Sequence, residues 1–447
     1  MYTRSDDTGA ERAADIQTVA MTTLGCRSNQ YDSSAMEDII RSTGFGTVPF
    51  SSVADVYIIN TCTVTRRTDY QSRQLIRRVR RRSPDALVIV TGCYAQVSPD
   101  EVAAIEGVDY ILGNPEKEMV VECIKRGRPP KPPVAIVGRY ENGTPLSLRA
   151  GTSHARTRVN LKVQDGCNRS CSYCIIPKAR GVSKSVPLGD VLKEIDGIVE
   201  SGYREIVLTG IHLGAYGADL SPRSSITDLV REIDSRGYPC RFRISSLDPD
   251  EVTDEFIDLL KGSSTVCNHL HLPLESGDDG ILRLMRRPYT ARYFADRVKR
   301  LHEAVPGISI GADVIVGFPG EGDREFENTF ALLRDLPVSY LHVFPYSRRR
   351  GTPAAEYPGQ VDARTVKERC LKLHELDRTK RRGFYRRFLG QEVPVLVESS
   401  RDSRTALLKA RTSNYIPVFI DAGDELKRRE VLVTLHDVTD GGMLGKV

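Results

Sequence analysis

Residues 164–181 read QDGCNRSCSYCIIPKARG, and within them Cys167, Cys171 and Cys174 form C-x3-C-x2-C directly after a short β-type run, RVNLKVQ. Zinc knuckles usually pair two C-x2-C loops and close on four ligands, whereas three thiols crowd here with no obvious fourth. Iron–sulfur cubanes are normally held by four cysteines. A three-cysteine cubane leaves one iron with an open position, and an open metal position can take a small ligand. Zinc and purely structural thiols are the competing readings of the same residues, and the crowding disfavours both.

Downstream, five further runs, EIVLTG, CRFRISS, NHLHLPLES, ISIGADVIVGFP and YLHVFPYS, alternate with helical stretches such as Leu188 to Tyr203 and Thr290 to Val305. Six βα units predict an incomplete parallel barrel whose active groups gather at C-terminal strand ends. Upstream, four β-branched runs, TVAMTTLG, ADVYIINT, LVIVTG and VDYILGN, are each followed by a helix-like stretch. That alternation indicates parallel strands buried on both faces. Three of the four runs end on a cysteine, Cys26, Cys62 and Cys93. Strands of a parallel sheet all point one way, so residues just past their ends collect along the edge where open α/β sheets bind ligands. The three cysteines are thereby predicted to converge on one site, with unrelated buried thiols as the alternative.

The chain therefore reads as α/β: an N-terminal parallel sheet domain over 17–126, a linker over 127–152 opening GRPPKPPVAIVG, a partial (β/α)6 barrel over 153–379, and a small antiparallel β-barrel over 380–447. Ala363 to Phe388 reads as one long basic helix with Leu371, Leu373 and Leu376 on an apolar stripe.

The 447 residues exceed one ordinary core, and no apolar run is long enough to span a bilayer, so no membrane partner is expected. The opening MYTRSDDTGAERAAD lacks the apolar region of a secretory signal, which predicts a cytoplasmic protein with a frayed N-terminus. Ten cysteines in such a chain suggest metal or catalysis rather than disulfides. Net charge is only +5, but Arg66 to Arg82 holds eight arginines against Asp69 alone, and Arg364 to Arg387 holds ten Lys or Arg against three acids. Both segments suit a polyanion, by counterion release from phosphates; solvated helix faces are the plain alternative.

C-x3-C-x2-C at the end of the first strand of a partial barrel resembles the radical S-adenosylmethionine superfamily. The resemblance implies that the open iron of a [4Fe–4S] cluster chelates the methionine moiety of S-adenosylmethionine and that one electron yields a 5′-deoxyadenosyl radical. From about residue 17 onward the chain resembles the methylthiotransferases, through LGCRSNQYDS, NTCTVT, TGCYAQ, LTGIHLGAYG, HLHLPLESG, GADVIVGFPGE and FPYSRRRGTPAA. Their layout is an N-terminal three-cysteine domain, a radical barrel and a C-terminal TRAM β-barrel. The likeness implies two [4Fe–4S] clusters, an auxiliary one on Cys26, Cys62 and Cys93 and a radical one on Cys167, Cys171 and Cys174. It further implies Tyr173 near the cofactor adenine, Gly210 near the methionyl amino group, Ser276 near the ribose and Ile315 by the adenine. Glu275, His212 and Lys178 depart from the family pattern, which usually has Gln, Asn and an aromatic there.

LTGIHLGAYG, MRRPYT and YSRRRGTPAA look most like the subgroup acting on threonylcarbamoyladenosine of tRNA. The resemblance then implies sulfur insertion at adenine C2 beside the anticodon, methylation of that sulfur, and use of two S-adenosylmethionine molecules. Implied partners are the tRNA anticodon stem-loop, an electron donor such as flavodoxin or ferredoxin, and a sulfur donor. Isopentenyladenosine tRNA and a ribosomal-protein aspartate are the alternative substrates; a non-catalytic iron–sulfur RNA-binding protein is the alternative of another class. Cys123, Cys240, Cys267 and Cys370 read as core thiols, and His269, His271 and His342 as structural histidines of barrel strands. VIVGFPGEG lacks the spacing and the lysine of a phosphate loop.

Overall fold

The computed structural model describes residues 17–140 and 157–447. The expected frayed N-terminus and residues 141–152 of the expected linker lie outside that range. The first unit is a six-stranded, wholly parallel sheet of β1 (Thr18–Thr23), β2 (Gly46–Val48), β3 (Val56–Thr61), β4 (Leu87–Gly92), β5 (Tyr110–Leu112) and β6 (Val134–Ile136), ordered β2-β1-β3-β4-β5-β6. Every residue of β3 and β4 is buried, because helices cover both faces. Tyr57, Ile59, Val88 and Val90 pack on Ile76 and Val79 of the Arg66–Arg82 helix, while Val56, Ile58, Leu87 and Ile89 pack on Met36, Ile40 and Ile124 from the other side. β6 lies inside the stretch read as a linker: Val134–Ile136 is too short and too exposed to carry a strand-like pattern, and only pairing with β5 makes it one.

The second unit has six parallel strands: β7 (Val159–Lys162), β10 (Glu205–Thr209), β11 (Arg241–Ile244), β12 (His269–Glu275), β13 (Ser309–Val316) and β14 (Tyr340–Pro345); the two-residue strands β8 (Gln164–Asp165) and β9 (Lys184–Ser185) pair beside them. β11-β10-β7 and β12-β13-β14 are joined by a parallel bridge from Phe242 to Val266, giving the incomplete barrel expected from the six runs. Alternation of side chains along a strand sorts this barrel into two faces. Leu270, Leu272, Leu274, Ile310, Ala312, Val314, Leu341 and Ile206 join the core with the helices. The intervening positions face the lumen, and besides Val207, Ile315 and Phe344 they include a polar group of His269, His271, Asp313, Tyr340, His342, Thr209 and Arg243. At Gly311 an added Cβ would run into the Tyr340 ring, so only glycine lets that ring lie across the lumen.

The helix Ala363–Arg386 starts at Asp362, whose carboxylate caps the Arg364 and Thr365 amides, and crosses the expected boundary at 379/380 without a break. Leu373 and Leu376 are buried, each worth about 1.5–3 kcal/mol of apolar burial. Leu371 is 59% exposed and does not share their face: it lies two residues from Leu373, about 200° round the helix. The last unit is a closed barrel of β15 (Glu392–Arg401), β16 (Leu408–Thr412), β17 (Pro417–Ile420), β18 (Glu430–Thr439) and β19 (Gly442–Lys446), ordered β15-β16-β17-β19-β18. The C-terminal Gly442–Lys446 segment supplies β19, which closes it against β17 and β18.

Candidate active site

β1, β3 and β4 are neighbours in the sheet, and Cys26, Cys62 and Cys93 stand immediately beyond their C-terminal ends. Cys26 occupies the N-cap of the Arg27–Ser42 helix. Gly25, at φ +95°, turns the chain there; a Cβ on it would sit 2.7 Å from Cys62 Sγ, so the two loops approach closely only because residue 25 is glycine. Asn29 Nδ2 ties the loops by donating to the Leu24 and Thr61 carbonyls at 2.8 and 2.9 Å. Burial, and then the proximity of Cys93 and Cys26, push the Cys62 thiol up to about 12. The three thiols thus share one electrostatic site.

Behind them lies a buried charge network that joins the sheet domain to the barrel. Asp32 pairs with Lys117 and Lys162, both at 2.5 Å, and with Arg180 at 3.1 Å; Asp165 pairs with Arg180 at 2.7 Å and Lys162 at 3.0 Å. Arg180 also donates to Asn29 Oδ1. Burial would raise the Asp32 carboxyl, but the three cations hold it far below the usual range. Three cations against two carboxylates leave a buried positive surplus, and Arg180 and Lys117 direct it at Cys93. That surplus complements an anionic set of thiolates, as a cluster held by three cysteines requires.

The second thiol set follows β7. Cys167, Cys171 and Cys174 lie on one loop, with the Cys167 amide bonded to the Gly181 carbonyl and the Cys174 amide to the Cys171 carbonyl. Burial and the two neighbouring thiols hold Cys174 up at about 12. Donors surround the set: the Arg169 amide reaches Cys167 Sγ at 3.4 Å, and Arg287 Nη1 reaches Cys171 Sγ at 3.4 Å while Nη2 pairs with Asp248 at 2.5 Å. His212 contacts Cys167 and Glu251; burial pulls its pKa down, yet those two partners hold it at about 10. The helix Ile176–Arg180, just past Cys174, packs on the Cys93–Val97 helix, and Asn114 Nδ2 spans from Cys93 Sγ to the Ala179 carbonyl. The two sets therefore adjoin.

Among the described residues the compact His, Cys, Asp and Glu groups are His271–Asp313–His342 and His212–Asp248–Glu251, and neither includes a cysteine of the two sets. The three thiols of neither set lie together within 4.8 Å; soft thiolates spaced around a site are the donor chemistry of iron–sulfur clusters. Tyr173 and Ile315 meet in one apolar cluster with Phe318 and Tyr346. The Tyr173 hydroxyl donates to Glu275 Oε1 at 2.8 Å. Glu275 sits at a bulge of β12 with φ +66°, and burial, with Asp313 nearby, lifts its carboxyl to about 7 against the pull of Arg287 and Tyr173. Gly210 stands at the end of β10 in a cavity wall, where Gln164 Oε1 accepts from the Ile211 and His212 amides. Ser276 is buried just beyond Glu275, its hydroxyl 3.3 Å from that of Thr329. Lys178 points away from the cysteines and donates to the Gly351 carbonyl at 2.7 Å.

That cavity, about 500 Å3, runs from Cys26 and Gly210 into the lumen. Comparison with known proteins agrees with this arrangement. Residues 18–113 match the model of Uncharacterized protein family UPF0004, and residues 161–333 that of the Radical SAM superfamily. Threonylcarbamoyladenosine tRNA methylthiotransferase MtaB of Bacillus subtilis is 40% identical over 429 residues, 94% of each chain, and that of Aquifex aeolicus 37% over 401 residues, 90% of this chain and 96% of its own. This chain belongs to the radical S-adenosylmethionine methylthiotransferase family. The tRNA-2-methylthio-N(6)-dimethylallyladenosine synthase of Photobacterium profundum, at 31% over 432 residues, 95% of this chain and 91% of its own, is a more distant member. Among solved structures, the radical S-adenosylmethionine methyltransferase TsrM of Kitasatospora setae shares the fold with TM-score 0.54, 17% identity and 73% of each chain covered.

As a methylthiotransferase the chain uses two [4Fe–4S] clusters and S-adenosylmethionine. Sequence reasoning missed several residues around them. Arg287 lies in MRRPYT, Asn114 in ILGN and Arg349 in YSRRRG; no local pattern tells a charge folded onto a thiol from one facing water. Arg349 bridges domains, donating to Asp69 at 2.6 Å and Thr63 at 2.5 Å beside Cys62. The basic segments are only partly free. Arg82 is stacked on Tyr57 and bonded to the Phe50 carbonyl, and Arg73 bonds Tyr94, while Arg66, Arg67, Arg77, Arg78 and Arg81 are exposed. On the C-terminal helix Arg369 is buried against Glu321 and Lys380 caps the Leu336 carbonyl, but Arg382, Arg386 and Arg387 remain exposed. The three lumen histidines do hydrogen-bond, as read from sequence, yet they also line the cavity.

Proposed function

We propose that the protein inserts sulfur at adenine C2 of N6-threonylcarbamoyladenosine, next to the tRNA anticodon, and methylates it. The observation that carries this reading is the pairing of two three-thiol sets with a cavity that runs from Cys26, at the parallel sheet edge, into the barrel lumen, in a chain that aligns over nearly its whole length with relatives of that name. When bound, the clusters and S-adenosylmethionine supply one-electron reduction, the hydrogen-abstracting radical and the methyl group. The chain's own residues hold and orient them. Arg287 and the Arg169 amide bear on the Cys171 and Cys167 thiolates, Arg180 and Lys117 bear on Cys93, and Tyr173, Ile315 and Phe318 form an apolar wall where the cofactor adenine is to lie. Exposed arginines of the Arg66–Arg82 and Ala363–Arg386 helices are to meet phosphates of the anticodon stem-loop, and the target base must unstack to reach the cavity. Flavodoxin or ferredoxin is the electron donor this chemistry calls for, sulfur is delivered at the auxiliary site, and the cytoplasm is where tRNA is met.

Mass spectrometry of tRNA nucleosides from a deletion strain tests the proposal. Loss of the methylthio form with accumulation of threonylcarbamoyladenosine is expected; its persistence, with no second enzyme able to make it, overturns the assignment.

A further inference from the structure

Four arginines, Arg27, Arg158, Arg243 and Arg411, surround the Tyr415 ring, which the C-terminal barrel inserts at the foot of the lumen with φ +70°. Three of them reach a carboxylate. Arg243 is paired with Glu205 at 2.8 Å and with the Ser413 carbonyl, Arg158 with Glu398 at 3.0 Å, and Arg411 with the Tyr415 carbonyl at 3.2 Å, with Glu398 3.8 Å away. Arg27 differs: it donates to the Tyr415 hydroxyl at 3.3 Å and has no carboxylate partner among the described residues. It is also the residue after Cys26, and it lines both the lumen cavity and an adjoining cavity of about 330 Å3. A guanidinium with unused donors facing a cavity is a site for an anion with paired oxygens.

A second observation lies in the same cavity. His269 Nε2 and His271 Nδ1 bond the Tyr340 hydroxyl at 2.8 and 3.2 Å, and His271 Nε2 and His342 Nδ1 bond Asp313 at 2.8 and 3.2 Å. His269 is 2% exposed, and its Nδ1 has no partner among the described residues. That nitrogen is closed off from water, so a ligand reaches it only when the His269 ring turns toward the cavity; a buried polar atom left alone is costly, and such a turn relieves it. A hydroxyl satisfies it in either tautomer, since it both donates and accepts.

We propose that the lumen reads the N6 substituent of the target base, with Arg27 taking the carboxylate of the threonyl moiety and His269 Nδ1 its hydroxyl. The inference rests on the substrate reading above and adds the residues that select it. An apolar dimethylallyl group would leave both unsatisfied, so the same contacts exclude it. A backbone phosphate is the other anion that could meet Arg27, and the test separates the two.

Anaerobically reconstituted holoenzyme is titrated with anticodon stem-loops carrying threonylcarbamoyladenosine, its threonine methyl ester, or the glycylcarbamoyl analogue that lacks the hydroxyl. The free acid is expected to bind roughly tenfold more tightly than the ester, the worth of one charge-assisted contact. Arg27→Gln is expected to bring that ratio to about one without changing affinity for the ester, and Arg27→Lys to keep most of it. His269→Phe is expected to remove the preference for threonyl over glycyl. Iron content and ester affinity report whether each variant is folded and loaded. A wild-type ratio near one overturns the proposal, as does a ratio that survives Arg27→Gln or an equal loss with all three RNAs, the mark of a phosphate contact. If wild-type enzyme forms no methylthio nucleoside on the free-acid RNA, the substrate reading fails instead.

Discussion

Glu275→Gln is expected to stabilise this protein at alkaline pH and to do nothing for it in acid. Glu275 is buried, holds the Tyr173 hydroxyl, and has its carboxyl lifted from 4.5 to about 7 by burial and by Asp313. Below about pH 4.5 the side chain is protonated both folded and unfolded, and its environment costs no ionisation energy. As pH rises towards 7 the unfolded chain ionises while the folded one keeps its proton, so stability falls; above 7 the loss is complete and constant. At about 1.4 kcal/mol per pH unit, the rise from 4.5 to about 7 amounts to about 3 kcal/mol. Glutamine still offers an oxygen to Tyr173, so the substitution isolates the charge. Thermal melting of the cluster-free chain, followed by circular dichroism, is expected to show the variant melting about 3 °C above wild type at pH 8 and level with it at pH 4. An equal difference at both pH values would refute the reasoning, because a packing change does not follow the proton.

Cys171→Ala is expected to lower iron in anaerobically purified protein from about eight to about four per chain, as two separate cubanes require; a drop to zero would mean that the sites assemble as one. Arg349→Ala removes the partner of buried Asp69 and is expected to cost about 3–5 kcal/mol, read as faster limited proteolysis of the sheet domain, with unchanged cleavage counting against a bridging role. Replacing Arg382, Arg386 and Arg387 by Gln is expected to reduce the salt slope of tRNA binding by about one for each phosphate that is no longer neutralised; an unaltered slope would place the RNA elsewhere.

The sequence alone singled out the six cysteines as candidate donors and read a parallel sheet, a partial barrel and a small β-barrel in that order. C-x3-C-x2-C is local, and cysteines just past β-branched runs must share an edge once those strands lie parallel, whatever the details of packing. Alternation and helical period likewise carried the barrel strands, the small β-barrel and the long basic helix, because burial patterns repeat along a single element. They could not say that Leu371 faces water or that Val134–Ile136 pairs as a strand: single residues and three-residue edges are decided by neighbours. The polar lumen was half visible, since HLHLPLE places its histidines on one face and its leucines on the other. Which of those groups kept a free hydrogen bond was not visible, nor was the lone Arg27, whose hydroxyl partner Tyr415 is 388 residues away. Charge compensation is a property of pairs in space, and only the tertiary structure decided which arginines were already taken.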